Sequence, residues 1–115
     1  GMTPARLTTA VRVSALVRQV NAEGGHAMVI NKGDPTAGAL LLVLCTRGEN
    51  VRFFERVLDE KGDYQWREVG REAAENPEKM ATFIEKRCRI DPDLWIVELD
   101  IPSPERFIEE GFING

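Results

Sequence analysis

The stretch from Gly38 to Cys45 constrains the fold more than any other, because it is the longest unbroken apolar run in the chain. It is too short to span a membrane, which takes about 20 apolar residues. Turn-forming residues precede it at Gly33–Gly38 and follow it at Arg47–Asn50. A short apolar run bounded in this way is typical of a strand that is covered on both faces. We therefore predict that Gly38–Cys45 is the central strand of one sheet.

The chain has 115 residues, which predicts one domain over residues 1–115 with an ordinary hydrophobic core. Gly1 before Met2 is expected to be a cloning remnant, and residues 102–115 a C-terminal tail or short helix. We expect no signal peptide. The two cysteines form no C-x-x-C pair, so we expect a reducing, cytoplasmic compartment. No sequence pattern calls for a cofactor.

The net charge of −4 argues against general binding to nucleic acids or to anionic membranes, since both need a positive field. A local basic patch remains compatible with this charge. Arginine makes planar two-point contacts with carboxylates and phosphates, and ion pairs on the protein surface are its commoner use. A protein partner or a homo-oligomer stays open at this stage.

The first predicted element is a helix from about Thr8 to Glu23. Its core-facing residues follow the i, i+3, i+4, i+7 spacing of an amphipathic helix, namely Val13, Leu16, Val17 and Val20. Thr8 or Thr9 can cap its start, and Gly24-Gly25 ends it. A strand over Val11–Val17 is the alternative, because valine is a weak helix former.

Three further strands are predicted at His26–Asn31, Asn50–Leu58 and Tyr64–Val69. The connection Lys32–Gly38 predicts a hairpin from the first of them into the central strand. Alternation along a strand places Phe53 and Phe54 on opposite faces and Tyr64 and Trp66 on one face.

A second helix is predicted over Asn76–Arg89, because Asn76-Pro77-Glu78 combines a cap, a first-turn proline and an acidic first turn. Its apolar stripe is Met80, Phe83, Ile84 and Cys88. The fifth strand is Leu94–Ile101, with Trp95, Val97, Leu99 and Ile101 on one core-facing side. We expect Trp95 to pack near the Met80–Ile84 stripe, with its indole N–H on a backbone carbonyl. A last short helix follows Ser103 and ends at Gly111.

These elements predict an α+β fold in the order α-β-β-β-β-α-β. The sheet is expected to be mainly antiparallel, with about five strands. Both long helices are expected to cover one face of it.

The segment Arg89–Glu98, which reads Arg-Ile-Asp-Pro-Asp-Leu-Trp-Ile-Val-Glu, resembles the C-terminal hallmark of a small proteobacterial domain family of unknown function. Val13–Arg18, followed by Asn21, Gly24 and Ala27, is similar to the opening of that family. The middle block, Asn31–Asp34 and Ala37–Ala39, resembles the family as well. The tail from Ile101 to Pro104 departs from it. The resemblance implies a shared fold and carries no site residues.

The loop Gly33–Gly38 is the best candidate for a ligand site, with Gly33, Asp34, Thr36 and Gly38 as its binding residues. Glycines allow backbone amides to approach an anion. The loop lacks the Gly-Lys-Ser/Thr of a nucleotide-binding P-loop and precedes a strand, where a P-loop would precede a helix. An ordinary hairpin connection is the interpretation that the sequence favours.

Other candidates for chemistry are weaker. Cys45 and Cys88 lie in apolar stretches, which favours buried thiols. His26 is the only histidine, so no zinc-type cluster is indicated. Four carboxylates could hold a calcium or magnesium ion, although turn and surface positions explain them too: Asp91, Asp93, Glu98 and Asp100.

Arg52, Arg56 and Arg67 could line one sheet face with Phe54, an arrangement that binds nucleic acid by charge and stacking. Cross-strand ion pairs are the favoured alternative. The function predicted from the sequence is therefore a small cytosolic binding or accessory protein without catalysis. An anion or small-molecule site at the Gly33–Gly38 loop, with or without enzymatic activity, is the second hypothesis, and nucleic-acid binding is the third.

Overall fold

The computed structural model describes residues 7–109, and these form a five-stranded sheet with helices on both sides. The elements are α1 (Thr9–Ala22), β1 (His26–Asn31), β2 (Leu40–Thr46), β3 (Glu49–Leu58), β4 (Tyr64–Val69), a 3-10 turn (Ala73–Glu75), α2 (Pro77–Ile90), β5 (Trp95–Asp100) and α3 (Pro104–Glu109). The predicted α+β class and element order are confirmed. The predicted end of the last helix, Gly111, lies outside the described residues.

The strand order is β1-β5-β2-β3-β4. Three neighbouring pairs are antiparallel, and β2 and β5 run parallel. The sheet is therefore mainly antiparallel, as expected. The predicted hairpin between β1 and β2 is wrong, because β5 lies between them. The two most completely buried strands, β2 and β5, take the central positions, and β1 is left at the edge.

The prediction that β2 is covered on both faces is confirmed, since Leu40 to Cys45 are all buried. On one face, the α1 face, side chains from β2 and β5 pack against Val13, Leu16 and Val20 of α1 and against Phe107 of α3. On the other face, the α2 face, they pack against the stripe of α2.

The prediction that both long helices cover one face is wrong. Alternating side chains of β2 are apolar in both directions, and Ile96 of β5 adds to the α2 face, so each face needs its own cover. Phe53 and Phe54 lie on opposite faces as predicted, with Phe54 in the α1-face cluster and Phe53 in the α2-face cluster. Phe53 meets Phe83 of α2 at 4.7 Å between ring centroids.

The predicted helix boundaries are confirmed by their caps. The Thr8 hydroxyl accepts a hydrogen bond from the Val11 N–H at 3.3 Å, and Gly24 follows α1 with a φ of +84°. The Asn76 side chain accepts from the Lys79 N–H at 2.9 Å, directly before Pro77. The helical period of the valines in α1 therefore outweighs their weak helix propensity.

Trp95 is 4% exposed and lies in the α1-face cluster. Its indole N–H donates to the backbone carbonyl of Asp34 at 2.6 Å, which confirms the expected type of partner. Its predicted position near Met80–Ile84 is wrong, because the strand alternation turns Trp95 toward α1 and α2 covers the opposite face.

We predict that Trp95→Ala lowers the free energy of unfolding by about 3–5 kcal/mol, the usual effect of truncating a buried aromatic residue. Such a loss is a large part of a typical stability of about 5–15 kcal/mol. Trp66→Ala, at a half-buried position on β4, serves as the control with a smaller loss. Denaturant titrations of both variants provide the measurement. An unchanged midpoint for Trp95→Ala would contradict the core assignment.

Candidate functional site

The loop Gly33–Gly38 packs against the first turn of α1. The N–H groups of Thr9 and Ala10 donate to the carbonyls of Thr36 and Pro35 at 3.2 and 2.9 Å. The buried hydroxyl of Thr9 donates to the Gly38 carbonyl at 2.7 Å. The loop thus satisfies backbone N–H groups that a helix N-terminus leaves without an intrahelical partner.

The amides of this loop are bonded within the protein. The Asp34 carboxylate accepts from the N–H groups of Thr36 and Ala37 at 3.2 and 2.8 Å. The Gly38 N–H donates to the Asp34 carbonyl, and the Asp34 N–H donates to the Asp93 carbonyl. The carboxylate of Asp34 thus occupies the place that an anionic ligand would take in a loop of backbone amides.

Gly33 and Gly38 allow the loop to approach the segment before β5. A Cβ atom at either position would overlap the backbone oxygen of Asp93. This close contact accounts for the glycines at positions 33 and 38, which were predicted from the sequence to bind a ligand. Of the four predicted residues, Thr36 and Gly38 border a cleft, while Gly33 and Asp34 shape the loop behind it.

The cleft beside the loop has a volume of about 470 Å³ and opens between α1, the loop and the β3–β4 hairpin. We call it the arginine cleft. Its lining residues within the described part of the chain include two arginines, three threonines and one tyrosine, and no carboxylate: Leu7, Thr8, Thr9, Arg12, Thr36, Ala37, Gly38, Ala39, Leu40, Arg56 and Tyr64. Two arginines therefore lie at this cleft in a chain whose net charge is −4.

Arg56 is held rigidly at this cleft. Its guanidinium carbon lies 3.7 Å from the centroid of the Tyr64 ring, so the two groups stack. Its Nε is buried and has no hydrogen-bond acceptor in the described part of the chain. Burial lowers the pKa of Arg56, and the neighbouring charge of Arg12 lowers it further. Because arginine still stays protonated near neutral pH, the site keeps its charge.

Trp66 adds a second buried donor. It is the cross-strand partner of Arg56, and its indole Nε1 is buried with no acceptor among residues 7–109. Tyr64 and Trp66 lie two residues apart on β4, and both side chains point to the α1 face, as predicted. Two buried donors without acceptors among the described residues thus sit on adjacent strands, and of these Arg56 lines the cleft. No ligand role was predicted for Arg12, Tyr64 or Trp66. Their positions relative to Arg56 depend on the register of β3 and β4 and on the packing of α1.

The other arginines of the sheet form ion pairs. Arg52 bonds to Glu68 at 3.0 Å, across the β3–β4 pair, and its guanidinium lies over Phe54. Arg67 pairs with Glu55 in the same way. The predicted cross-strand ion pairs are confirmed. Arg67 does not share a face with Arg52 and Arg56, because its partner Glu55 also bonds to Arg87 on α2.

His26, Cys45 and Asp100 lie on three adjacent strands, with Asp100 opposite both of the others. The Asp100 carboxylate accepts from the N–H groups of Arg47 and Gly48 at 2.7 and 3.1 Å, which holds the turn between β2 and β3. A depression of about 610 Å³ beside this turn contains both acidic and basic side chains. His26 and Cys45 are separated by β5 and do not form a nucleophilic pair.

The four carboxylates considered as calcium or magnesium ligands do not form one cluster. Asp91 accepts from the Asp93 N–H at 3.1 Å, which is the turn role weighed in the sequence analysis. Glu98 and Asp100 lie two residues apart on β5, with Leu99 between them in the register. Within residues 7–109 there is no group of three or more metal-binding side chains. In the same region, no helix is long and apolar enough to cross a membrane.

We predict different reactivities for the two free thiols. Burial raises the pKa of Cys45 to about 11, and the charges of Asp100 and Glu98 contribute, so its thiol stays protonated at neutral pH. Cys88 is half-buried in the α2 stripe. In a Cys88→Ala variant, a thiol reagent should label Cys45 only as fast as the protein unfolds. Rapid native-state labelling of that variant would contradict the burial of Cys45.

The matched variant Cys45→Ala leaves Cys88 as the only thiol. The Cys88 thiol should react with the thiol reagent faster than Cys45 and more slowly than free cysteine, because the Cys88 side chain is only partly covered. A rate equal to that of free cysteine would mean that the α2 stripe does not protect it.

Taken together, these features define a class of small α+β protein, in which a mixed sheet separates α1 and α3 from α2. The particular family follows from comparison with known proteins. The chain belongs to the family described as "Protein of unknown function (DUF1491)", whose model matches residues 7–109. No curated protein matches the chain.

Three solved structures are similar over most of their length. A crystal structure of a DUF1491 family protein from Caulobacter crescentus CB15 is 32% identical, with 89% of this chain and 94% of that one covered and a TM-score of 0.78. An NMR structure of a DUF1491 family protein from the same organism is 31% identical, with 91% and 94% covered and a TM-score of 0.75.

The third is the solution structure of a protein from A. tumefaciens, 26% identical, with 96% of this chain and 93% of that one covered and a TM-score of 0.70. The organisms of these relatives agree with the proteobacterial family that the sequence resembles. The resemblance stated from the three sequence blocks is therefore confirmed.

Proposed function

We propose that this protein is a binding protein for a small molecule with an anionic group, such as a phosphate or a carboxylate, and that the group binds in the arginine cleft. The observation that carries the proposal is Arg56, which lines a cleft with no carboxylate among its described residues and whose buried Nε lacks an acceptor within residues 7–109. The proposal combines two hypotheses from the sequence: a binding function without catalysis, and an anion or small-molecule site at the Gly33–Gly38 loop.

The energetics of Arg56 support an anionic ligand. A buried donor without a partner costs about 1–3 kcal/mol, and more when its group is charged. Burial is the main cause of the lowered pKa of Arg56, and repulsion from the like charge of Arg12 lowers it further. An anion reverses this repulsion, and a planar guanidinium contacts two oxygens of a phosphate or carboxylate at once.

The loop contributes shape and a hydroxyl to the proposed site. Thr36 is exposed at the rim of the cleft, and its hydroxyl can donate to an anion oxygen. Asp34 keeps its carboxylate on the loop amides, so its negative charge is already stabilised within the protein. Gly33, Asp34 and Gly38 then act by positioning Thr36, and Thr36 is the loop side chain we assign to the ligand.

We propose binding without catalysis, because the side chains around the cleft are suited to holding an anion by charge and hydrogen bonds. The two free cysteines support a reducing compartment, and the cytoplasm is the location we propose. Nucleic-acid binding is the weaker candidate, because Arg52 and Arg67 are paired with glutamates and lie on opposite faces.

The proposal predicts that inorganic phosphate binds saturably and moves the NMR signal of the Trp66 indole N–H. The Trp95 indole N–H is the internal control, since it already donates to Asp34. Arg56→Gln should weaken binding at least tenfold, or about 1.4 kcal/mol. Arg18→Gln removes the same charge from an exposed position on α1 and should leave binding unchanged.

Thermal melting separates a binding role from a structural one. Without ligand, Arg56→Gln should melt at or above the temperature of the wild type, because it removes a partly buried charge next to Arg12. Phosphate should raise the melting temperature of the wild type and not that of the variant. Equal stabilisation of both, or no saturable binding of phosphate or of a small carboxylate, would refute the proposed function. Tighter binding of single-stranded DNA at physiological salt would favour the nucleic-acid alternative.

A further inference from the structure

The arginine cleft has two walls of different chemistry. The first carries the guanidinium groups of Arg12 and Arg56. The second is the continuous segment of residues 36–40, which after Thr36 reads Ala-Gly-Ala-Leu and has no polar side chain. Leu7, which is 49% exposed, adds another apolar side chain to the lining. We call residues 37–40 together with Leu7 the apolar wall.

Three backbone N–H groups along this segment already have partners inside the protein. Those of Thr36 and Ala37 donate to the Asp34 carboxylate. The N–H of Gly38 donates to the Asp34 carbonyl. A ligand atom would have to displace Asp34 before it could bond to these amides.

Three carbonyl groups along the segment are engaged as well. The carbonyl of Thr36 accepts from the Thr9 N–H at 3.2 Å, and that of Gly38 accepts from the Thr9 hydroxyl at 2.7 Å. The carbonyl of Ala39 accepts from the Trp95 N–H at 2.8 Å. These bonds hold the loop on α1 and β5, so they belong to the fold. A ligand hydroxyl at this wall would lose bonds to water and meet backbone groups that are largely bonded already.

The apolar wall begins beside the guanidinium that we assign to the anion. Leu41 on β2 pairs with Glu55 on β3 in an antiparallel register. Leu40 and Arg56, one residue before and one residue after this pair, therefore occupy neighbouring positions on the two strands, and both line the cleft. A ligand whose anionic group contacts Arg56 thus has its remaining atoms within reach of the apolar wall.

The cleft is larger than an inorganic anion needs. Its volume of about 470 Å³ falls within the range of about 300–1,000 Å³ that is usual for sites of small organic molecules. A bare phosphate at Arg56 would leave the apolar wall in contact with water. A ligand that covers this wall gains affinity in proportion to the apolar area that it buries.

We infer that the ligand is an organic anion with an apolar body, such as an alkyl or aryl phosphate or carboxylate. Its anionic group binds Arg56, and its body lies on the apolar wall. The inference rests on the proposed function, since it names the class of ligand for the same cleft. Sugar phosphates and other polyhydroxy anions are excluded as preferred ligands, because their hydroxyls lose water without gaining partners at this wall.

Calorimetric titration of the full chain with phosphate esters tests the inference. From methyl to n-pentyl phosphate, each added methylene should tighten binding about threefold. n-Pentyl phosphate should bind about tenfold more tightly than glycerol 3-phosphate, whose body has the same number of non-hydrogen atoms but two hydroxyls. Arg56→Gln should weaken binding of n-pentyl phosphate, which separates the cleft from adsorption of the alkyl chain elsewhere.

The outcomes distinguish this inference from the proposed function. If inorganic phosphate binds and glycerol 3-phosphate binds as tightly as n-pentyl phosphate, the apolar body is wrong and the anion site stands. If n-pentyl phosphate binds equally well to Arg56→Gln, the inference is overturned as well. If neither inorganic phosphate nor any of the esters or small carboxylates binds, both proposals fail.

A matched pair of variants tests the apolar wall itself. Leu7→Gln should reduce the ratio of the affinities for n-pentyl and methyl phosphate, because it replaces an apolar side chain of the cleft outside α1. Ile90→Gln makes the same kind of change at an exposed position at the end of α2 and should keep the wild-type ratio. A wild-type ratio in Leu7→Gln, or an equal fall in both variants, would contradict the placement of the body on this wall.

Discussion

The parallel pairing of β2 and β5 is the contact on which the rest of the structure depends. β2 is buried on both faces, and β5 is buried throughout except at Glu98 and Asp100, so the two strands lie inside the sheet and leave two surfaces to be covered. α1 and α2 cover one surface each. The backbone N–H of Trp95 donates to the carbonyl of Ala39, directly before β2, and its indole N–H donates to the carbonyl of Asp34. Trp95 thereby ties the centre of the sheet to the loop before β2.

That loop connects the core to the arginine cleft. Its amides bond to Asp34, its carbonyls accept from the first turn of α1, and its glycines pack on Asp93. The loop wall of the cleft is therefore fixed by the same contacts that bury Trp95. The opposite wall is the stack of Arg56 on Tyr64. A site built between two fixed walls needs little reorganisation to bind a ligand, which reduces the entropy lost on binding.

The sequence predicted the elements well because their signals are local. The spacing of Val13, Leu16 and Val20 and the cap at Asn76 act within a few residues. Sheet order and helix placement depend on pairings between distant segments. The local pattern of Lys32–Gly38 fits a hairpin as well as a loop that docks on α1. The site was only partly predictable for the same reason, since glycines serve close packing and anion contacts alike. Only the strand register shows that Arg56 stands opposite Trp66, whereas Arg52 and Arg67 each pair with a glutamate across β3 and β4.

The position of β5 has a consequence for how the chain folds. As the protein is synthesised, β2, β3 and β4 emerge as a meander of local hairpin contacts that forms quickly. β1 has no strand to pair with until β5 appears near the end of the chain, because β5 is its only neighbour. Until then β2, the most apolar strand, keeps one side open. We expect the insertion of β5 to cover the open side of β2 and to bring β1 into the sheet. This late, long-range event is the one at which folding and aggregation compete.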